Sequence, residues 1–264
     1  MSLSNEINNK FWTDPPWGDG HKKYRLGLAP IDQEDWFETD ISSDLKEHKR
    51  RLLETRYEDV VATTDDSIEA QNILLEKISA SENEFPDQIA NISLSVPDDL
   101  CVIESNGDQR LIAASVCSPS YWDLTKKIGK SLRDIHKPVK TLNKKIGNPI
   151  EKFIKNAPLD TPFKRENWFI HGNNERFYLE PEGWPEEPIE EWYVRSERET
   201  ICKYSEAYSL FAINVRFQPL YAIKDYKEAK KGLIKSLEKF DNEEIDYFGG
   251  IKKHDALLKH LHSL

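Results

Sequence analysis

An α+β domain, with helices gathered on one face of an antiparallel sheet, is the fold class that this 264-residue sequence predicts. Three observations predict it. Two apolar runs, Leu100-Cys101-Val102-Ile103-Glu104 and Leu111 to Cys117, flank Asn106-Gly107-Asp108, a strong short-range hairpin signal. Three segments, Arg165 to His171, Tyr193 to Lys203 and Ala207 to Phe217, then alternate as strands do. Helical spacing precedes the hairpin and closes the chain, and the order of two helices, a hairpin, helices and three strands suits a sheet covered by helices.

Taken in order, Phe11-Trp12-Thr13-Asp14-Pro15-Pro16-Trp17-Gly18 mixes aromatics with proline and glycine and reads as an ordered, irregular strap lying against the core. Asp44 to Tyr57 and Ser67 to Ala80 read as helices, the second capped near Asp65 with Ile68, Leu75 and Ile78 on one stripe. Val60 to Asp66 is the expected connection. After the hairpin, Pro119 suits a first helical position, and Trp122, Ile128 and Leu132 recur on one face, so a helix is predicted from Pro119 to Arg133. Pro138 biases Lys137 to extended backbone, which sets His136 on a stiffened turn at the helix exit. Ile146 to Ile154, Tyr226 to Phe240 and Lys252 to His262 are the remaining helices. We read residues 1–264 as a single domain with helical additions at both ends, large enough to bury a substantial core.

A net charge of −10 and a pI near 5.3 argue against a nucleic-acid partner, which needs a basic face. Cys101, Cys117 and Cys202 are odd in number and lack C-x-x-C spacing, so neither a disulfide framework nor a cysteine zinc site is predicted. No charged and apolar leader opens the sequence and no run of about eighteen apolar residues occurs, so no membrane span is expected and a cytoplasmic location is. H-E-x-x-H, Walker, G-x-G-x-x-G and G-x-S-x-G motifs are all absent. His254 and His260 approach helical proximity while His262 falls on another face, a poor arrangement for a metal. The imidazole of His136 has two readings: a metal ligand held on a fixed turn, or a histidine whose charged form favours the C-terminal end of a helix dipole.

Four groups of residues carry a resemblance. They are Leu26-Gly27-Leu28-Ala29-Pro30 with Trp36, the Pro119 to Val139 segment, Asn167-Trp168, and Arg195-Ser196-Glu197-Arg198-Glu199-Thr200 with Phe211 to Leu220. In this order and spacing the chain resembles the heme-dependent oxidative N-demethylases and their relatives. The resemblance implies a PAS-like antiparallel sheet with a core at about 95–220, and heme b as cofactor. It implies His136 as the axial, metal-binding ligand. Arg195 and Arg198 would hold the propionates in fork geometry, with Lys126 a further cation and Arg165 and Arg216 as additional candidates. Arg195 and Arg198 stand three apart, so both reach one pocket only if their strand bends or bulges. Asn167 would orient a ligand or satisfy backbone, and Trp168, Tyr193, Phe211 and Phe217 would line a porphyrin cavity or remain ordinary core.

The implied reaction uses O₂ to oxidise the N-methyl carbon of a small methylated amine, whose carbinolamine collapses to formaldehyde and the shorter amine. Electrons would come from NADPH through a separate reductase, because no flavin or iron–sulfur motif occurs here, and a homo-oligomeric state is compatible with all of this. Two alternatives stand beside it: a heme-binding sensor or carrier without turnover, and a PAS-like ligand-binding module that has lost heme. The chain departs from the family pattern at Glu199, at Cys202-Lys203-Tyr204 and at Lys140.

Overall fold

The computed structural model describes residues 7–22, 25–38, 41–80, 83–137, 143–180, 184–185 and 187–264. Asn8 caps a short helix, α1 (Asn9–Thr13), by accepting from the Phe11 N–H. The aromatic, proline-rich opening then turns so that Trp12 and Trp17 are buried, which makes it the expected strap with one turn of helix inside it. A two-residue strand, β1 (Ala29–Pro30), precedes α2 (Ser43–Thr55), capped by the Ser42 hydroxyl, and α3 (Tyr57–Val60). The expected connection at 60–66 holds a strand, β2 (Val61–Thr63), before α4 (Ile68–Ile78). Three residues give too short a pattern to reveal a strand by alternation.

A helix without a sequence forecast, α5 (Gln88–Ser93), leads into the hairpin β3 (Asp99–Glu104) and β4 (Leu111–Ser115). The predicted helix over 119–133 does not form. Its residues make a 3₁₀ turn at Leu124–Lys126 and a single helical turn, α6 (Leu132–Ile135). Two positions break it: Tyr121 and Gly129 both have positive φ, +57° and +73°, values that stop a right-handed helix. Gly129 and Lys130 instead exchange backbone hydrogen bonds with Leu111, at 2.7 and 3.0 Å, so the segment seals the start of β4. Pro138 and Lys140 lie outside the described residues.

A π-helical turn at Asn143–Gly147 runs into α7 (Asn148–Asn156), which has proline in its first turn. Three long strands follow, β5 (Phe163–His171), β6 (Tyr193–Lys203) and β7 (Tyr208–Pro219), then α8 (Lys227–Leu237), α9 (Asn242–Phe248) and α10 (Ile251–Ser263). Helix α9 starts on a capping box, Asp241 with Glu244, and stops at Gly249 with φ +123°. Among the described residues no helix is long and apolar enough to cross a membrane.

The seven strands form one antiparallel sheet in the order β1-β5-β6-β7-β3-β4-β2. Pairing of β6 with β5 and with β7 runs unbroken, from Phe163 opposite Ile201 to Tyr193 opposite Pro219. Side chains on these strands therefore alternate strictly between two faces. Even-numbered residues of β3, β6 and β7, such as Leu100, Val102, Cys202, Leu210 and Ala212, join one apolar cluster with α4 and α5. Trp168, Ile170 and Val194 join a second with α8 and α10. Odd-numbered residues face the other way, toward α6, α7 and the chain around Leu28, so helices cover both faces of the sheet and not the single face expected.

Between α2 and the start of β3 sits a buried ammonium. Lys49 Nζ donates to the carbonyls of Ser93, Val96 and Asp98 at 2.9, 2.9 and 2.6 Å, which uses all three of its donors.

Candidate functional site

A cavity of about 360 Å³ opens on the odd-numbered face of the sheet, within the size range of small-molecule and cofactor sites. Its floor is laid by cross-strand pairs. Arg165 stands opposite Glu199, Asn167 opposite Glu197, and Phe169 opposite Arg195, and all six line the cavity. Arg165 Nε meets Glu199 Oε2 at 2.9 Å. Glu197 is shared: Oε1 accepts from Arg195 Nε at 3.1 Å and Oε2 from Asn167 Nδ2 at 2.9 Å.

Arg195 is 1% exposed. It donates a second bond, Nη2 to the Ser118 carbonyl at 2.5 Å, while Nη1 is buried with no acceptor among the described residues. A guanidinium nitrogen left so is costly unless a guest supplies an oxygen. The walls are otherwise mostly apolar: Cys101, Ile103, Leu111, Ile201 and Phe211 from the strands, and Leu132, Ile135, Ile150, Phe153 and Ile154 from α6 and α7.

The roof comes from the loop after β4. Asp99, on β3, accepts from the backbone N–H groups of Cys117 and Ser118 at 2.9 and 2.8 Å and so fixes the root of that loop. Tyr121, at its strained φ, donates its N–H to the Tyr178 carbonyl at 2.8 Å and stacks on His171 with ring centroids 5.3 Å apart. Its hydroxyl lies 3.3 Å from His171 Nδ1.

His136 follows the single turn of α6, its N–H donating to the Leu132 carbonyl at 3.0 Å, and it lines the cavity. Neither ring nitrogen meets a hydrogen-bond partner among the described residues. Burial pushes its pKa down to about 4, helped by the positive charges of Arg165 and Lys127. At neutral pH the ring is therefore uncharged, with a lone pair available for coordination. Lys127 also lines the cavity and donates to the Ile135 carbonyl at 3.4 Å. Tyr247, from α9, lines one side of the cavity.

Of the residues singled out in the sequence, His136, Arg195 and Asn167 meet in this cavity. Arg165 and Phe211, named as further candidates, line it as well, and four others do not. Arg198 lies on the opposite face, donating to the Asp35 and Trp36 carbonyls, because β6 runs without the bulge that would bring it round. Trp168 is also on that face, 5.5 Å from Trp17 and 6.1 Å from Phe240, in a solid core. Lys126 is exposed and paired with Asp123 at 2.8 Å; its neighbour Lys127 turns inward instead. Arg216 is on the back face too, with Glu38 and Glu166. Glu197, Glu199, Lys127, Asp99 and Tyr121 are cavity residues that the sequence reading did not assign. The first two were legible by parity, since they share the register of Arg195 along β6.

The group that a heme site needs can be tested against this set. A neutral, unpartnered imidazole, apolar walls and a buried guanidinium nitrogen without an acceptor all suit a planar apolar guest that carries a metal and carboxylates. The residues fit. Comparison with known proteins points the same way: the family model described as haem-dependent oxidative N-demethylase, alpha subunit-like, matches residues 42–258. No curated protein matches the chain.

Proposed function

Because the chain belongs to the haem-dependent oxidative N-demethylase, alpha subunit-like family, we propose that it binds heme b in the cavity lined by His136 and oxidatively removes a methyl group from a small methylated amine. The observation that carries the reading is the His136 ring: neutral, without a hydrogen-bond partner, on the wall of a largely apolar cavity. An antiparallel sheet with a hairpin toward one edge and helices packed over the face that bears the cavity supports a PAS-like core at about 95–220.

In this reading His136 would hold the heme iron, and Arg195, through its Nη1, would bind a carboxylate of the cofactor. Lys127 is a second cation in the cavity. Arg165 can take that role only in competition with Glu199, which already holds it. When bound, heme supplies activation of O₂ at its iron. The protein's own residues would do the rest. Apolar walls exclude water, and the Asn167–Glu197–Arg195 chain fixes a carboxylate that an ammonium can approach beside Phe169. One methylated amine, O₂, two electrons and two protons give the shorter amine, formaldehyde and water. The electrons come from outside the chain, from a separate NADPH-linked reductase.

The test uses purified protein titrated with hemin. A Soret band that shifts on reduction and with carbon monoxide, together with formaldehyde release from methylated amines when a reductant is supplied, is the expected result. A heme spectrum without formaldehyde from any methylated amine would leave a sensor or carrier in its place. No spectrum at all would leave a binding module that does not use heme.

A further inference from the structure

The thirty residues from Lys126 to Lys155 carry ten Lys or Arg and two acidic residues, a net +8 in a chain whose total is −10. Described residues of this stretch, Lys127 to His136 and Ile150 to Ile154 among them, contribute to the cavity wall. Helix α7 shows both roles at once: Ile150, Phe153 and Ile154 line the cavity, while Lys152 and Lys155 are exposed on the outside. Beside them a groove runs between the hairpin turn at Gly107–Gln109 and α7, lined also by Arg133, Asp108 and Glu151.

The basic charge there is not used up internally. Arg133, Lys137 and Lys145 are paired, with Glu151, with Asp134, and with Asp241 and Glu244. Lys130, Lys144, Lys152 and Lys155 are exposed and make no ion pair among the described residues. Lys152 and Lys155 share the groove, and exposed cations concentrated in one short stretch of an otherwise acidic molecule orient an approaching anionic surface, a complementarity that sets encounter rate and register.

We propose that this outer face of α6 and α7 is the docking surface for an acidic electron-carrier protein. The proposal rests on the heme reading above, in which two electrons must enter from another molecule. The location suits that task. One helix, about 10–12 Å across, separates the basic face from the cavity, so a carrier seated there stands next to the wall that holds His136. A nucleic acid is the less suitable occupant, because it would meet an acidic molecule on either side of a short basic face.

The probe is a two-iron ferredoxin of strongly acidic surface, used in two measurements. In calorimetry with the heme-free chain, the ferredoxin binds at low ionic strength and loses about tenfold or more in affinity at 0.3 M salt. The triple substitution Lys130→Glu, Lys152→Glu, Lys155→Glu abolishes binding, and the matching Gln triple weakens it by roughly tenfold. The Gln set guards against a folding defect caused by charge reversal. In stopped-flow with the heme-loaded chain, reduction by ferredoxin slows by the same factors, while reduction by photoreduced deazaflavin, a small neutral donor, is unchanged. Ferredoxin binding that is absent, or indifferent to salt and to both triples, overturns the proposal. So does tighter binding of duplex DNA or of anionic vesicles to the same lysines. A chain that takes up no heme sinks the reading above it, and calorimetry still reports on the surface.

Discussion

On the back of β5, Trp168 sits edge-on to Trp17 at 5.5 Å, among Phe240 and Phe248 and with Val194 and Leu233 in the same cluster. One residue earlier, on the front, Asn167 holds Glu197 beside an open cavity. The two side chains belong to the same strand, and the same pleat separates them. What differs is the layer that each face receives. Behind the sheet, α4, α5, α8 and α10 bring leucines, isoleucines and aromatics that fill the space. In front, the covering chain is a roof loop, one turn of α6, and α7, too little to reach the floor everywhere. Polar pairs occupy that floor, and a tightly filled core would not tolerate so many of them.

The contrast makes its largest prediction for stability. Trp168→Ala should cost about 3–5 kcal/mol in denaturant unfolding, the usual loss for a large aromatic removed from a packed core. Asn167→Ala should cost about 1 kcal/mol or less, since it removes hydrogen bonding beside an open cavity and no volume from a packed core. Equal losses would mean that the front is as solid as the back. For ligand binding the order reverses. His136→Ala should weaken hemin binding by roughly a hundredfold or more, about 2.8 kcal/mol at 1.4 kcal/mol per tenfold, while the melting temperature of the heme-free chain barely moves. An unchanged Soret band would remove His136 from the site.

The smallest effect concerns a buried charge on the back. Asp98 is fully buried and neither carboxylate oxygen has a hydrogen-bond partner among the described residues. Burial raises its pKa from the ordinary 3.8 to about 7, against the pull of Lys49 and Arg198. The folded chain therefore keeps a proton there that the unfolded chain has already released. Stability should fall as pH rises from about 4 toward 7 and level off above, and Asp98→Asn should flatten that slope. A slope that survives the substitution would assign it to another group.

Much of this was legible in residue order. The hairpin around Asn106-Gly107 and the three long strands appear where alternation and turn residues put them, and the separation of Arg195 from Arg198 follows from a spacing of three. The helix forecast over 119–133 failed because apolar spacing is silent about pairing with a distant partner: Gly129 and Lys130 bond to Leu111, and that bonding decides their backbone. Lys126 and Lys127 show a finer limit. Adjacent lysines on a helix could be sorted by face, but on a 3₁₀ turn within irregular chain only the three-dimensional placement shows which one points inward. Helices α5 and α9 are short, six and seven residues, below the length at which periodicity speaks.

The N-terminal strap has a wider bearing. Trp17 donates from Nε1 to the Ala229 carbonyl at 2.8 Å, and Gly232 of α8 lies so close to the Gly18 carbonyl that a Cβ there would collide with it. Trp12 completes the back core, and Leu26 and Leu28 contribute to the cavity wall. Trp12, Trp17, Gly18, Leu26 and Leu28 all precede position 42, where the family match begins. A fragment trimmed to the matched boundaries would thus lose a plug from one side of the sheet and part of the enclosure on the other. The evolutionary unit recognised by sequence is smaller than the mechanical unit that holds together.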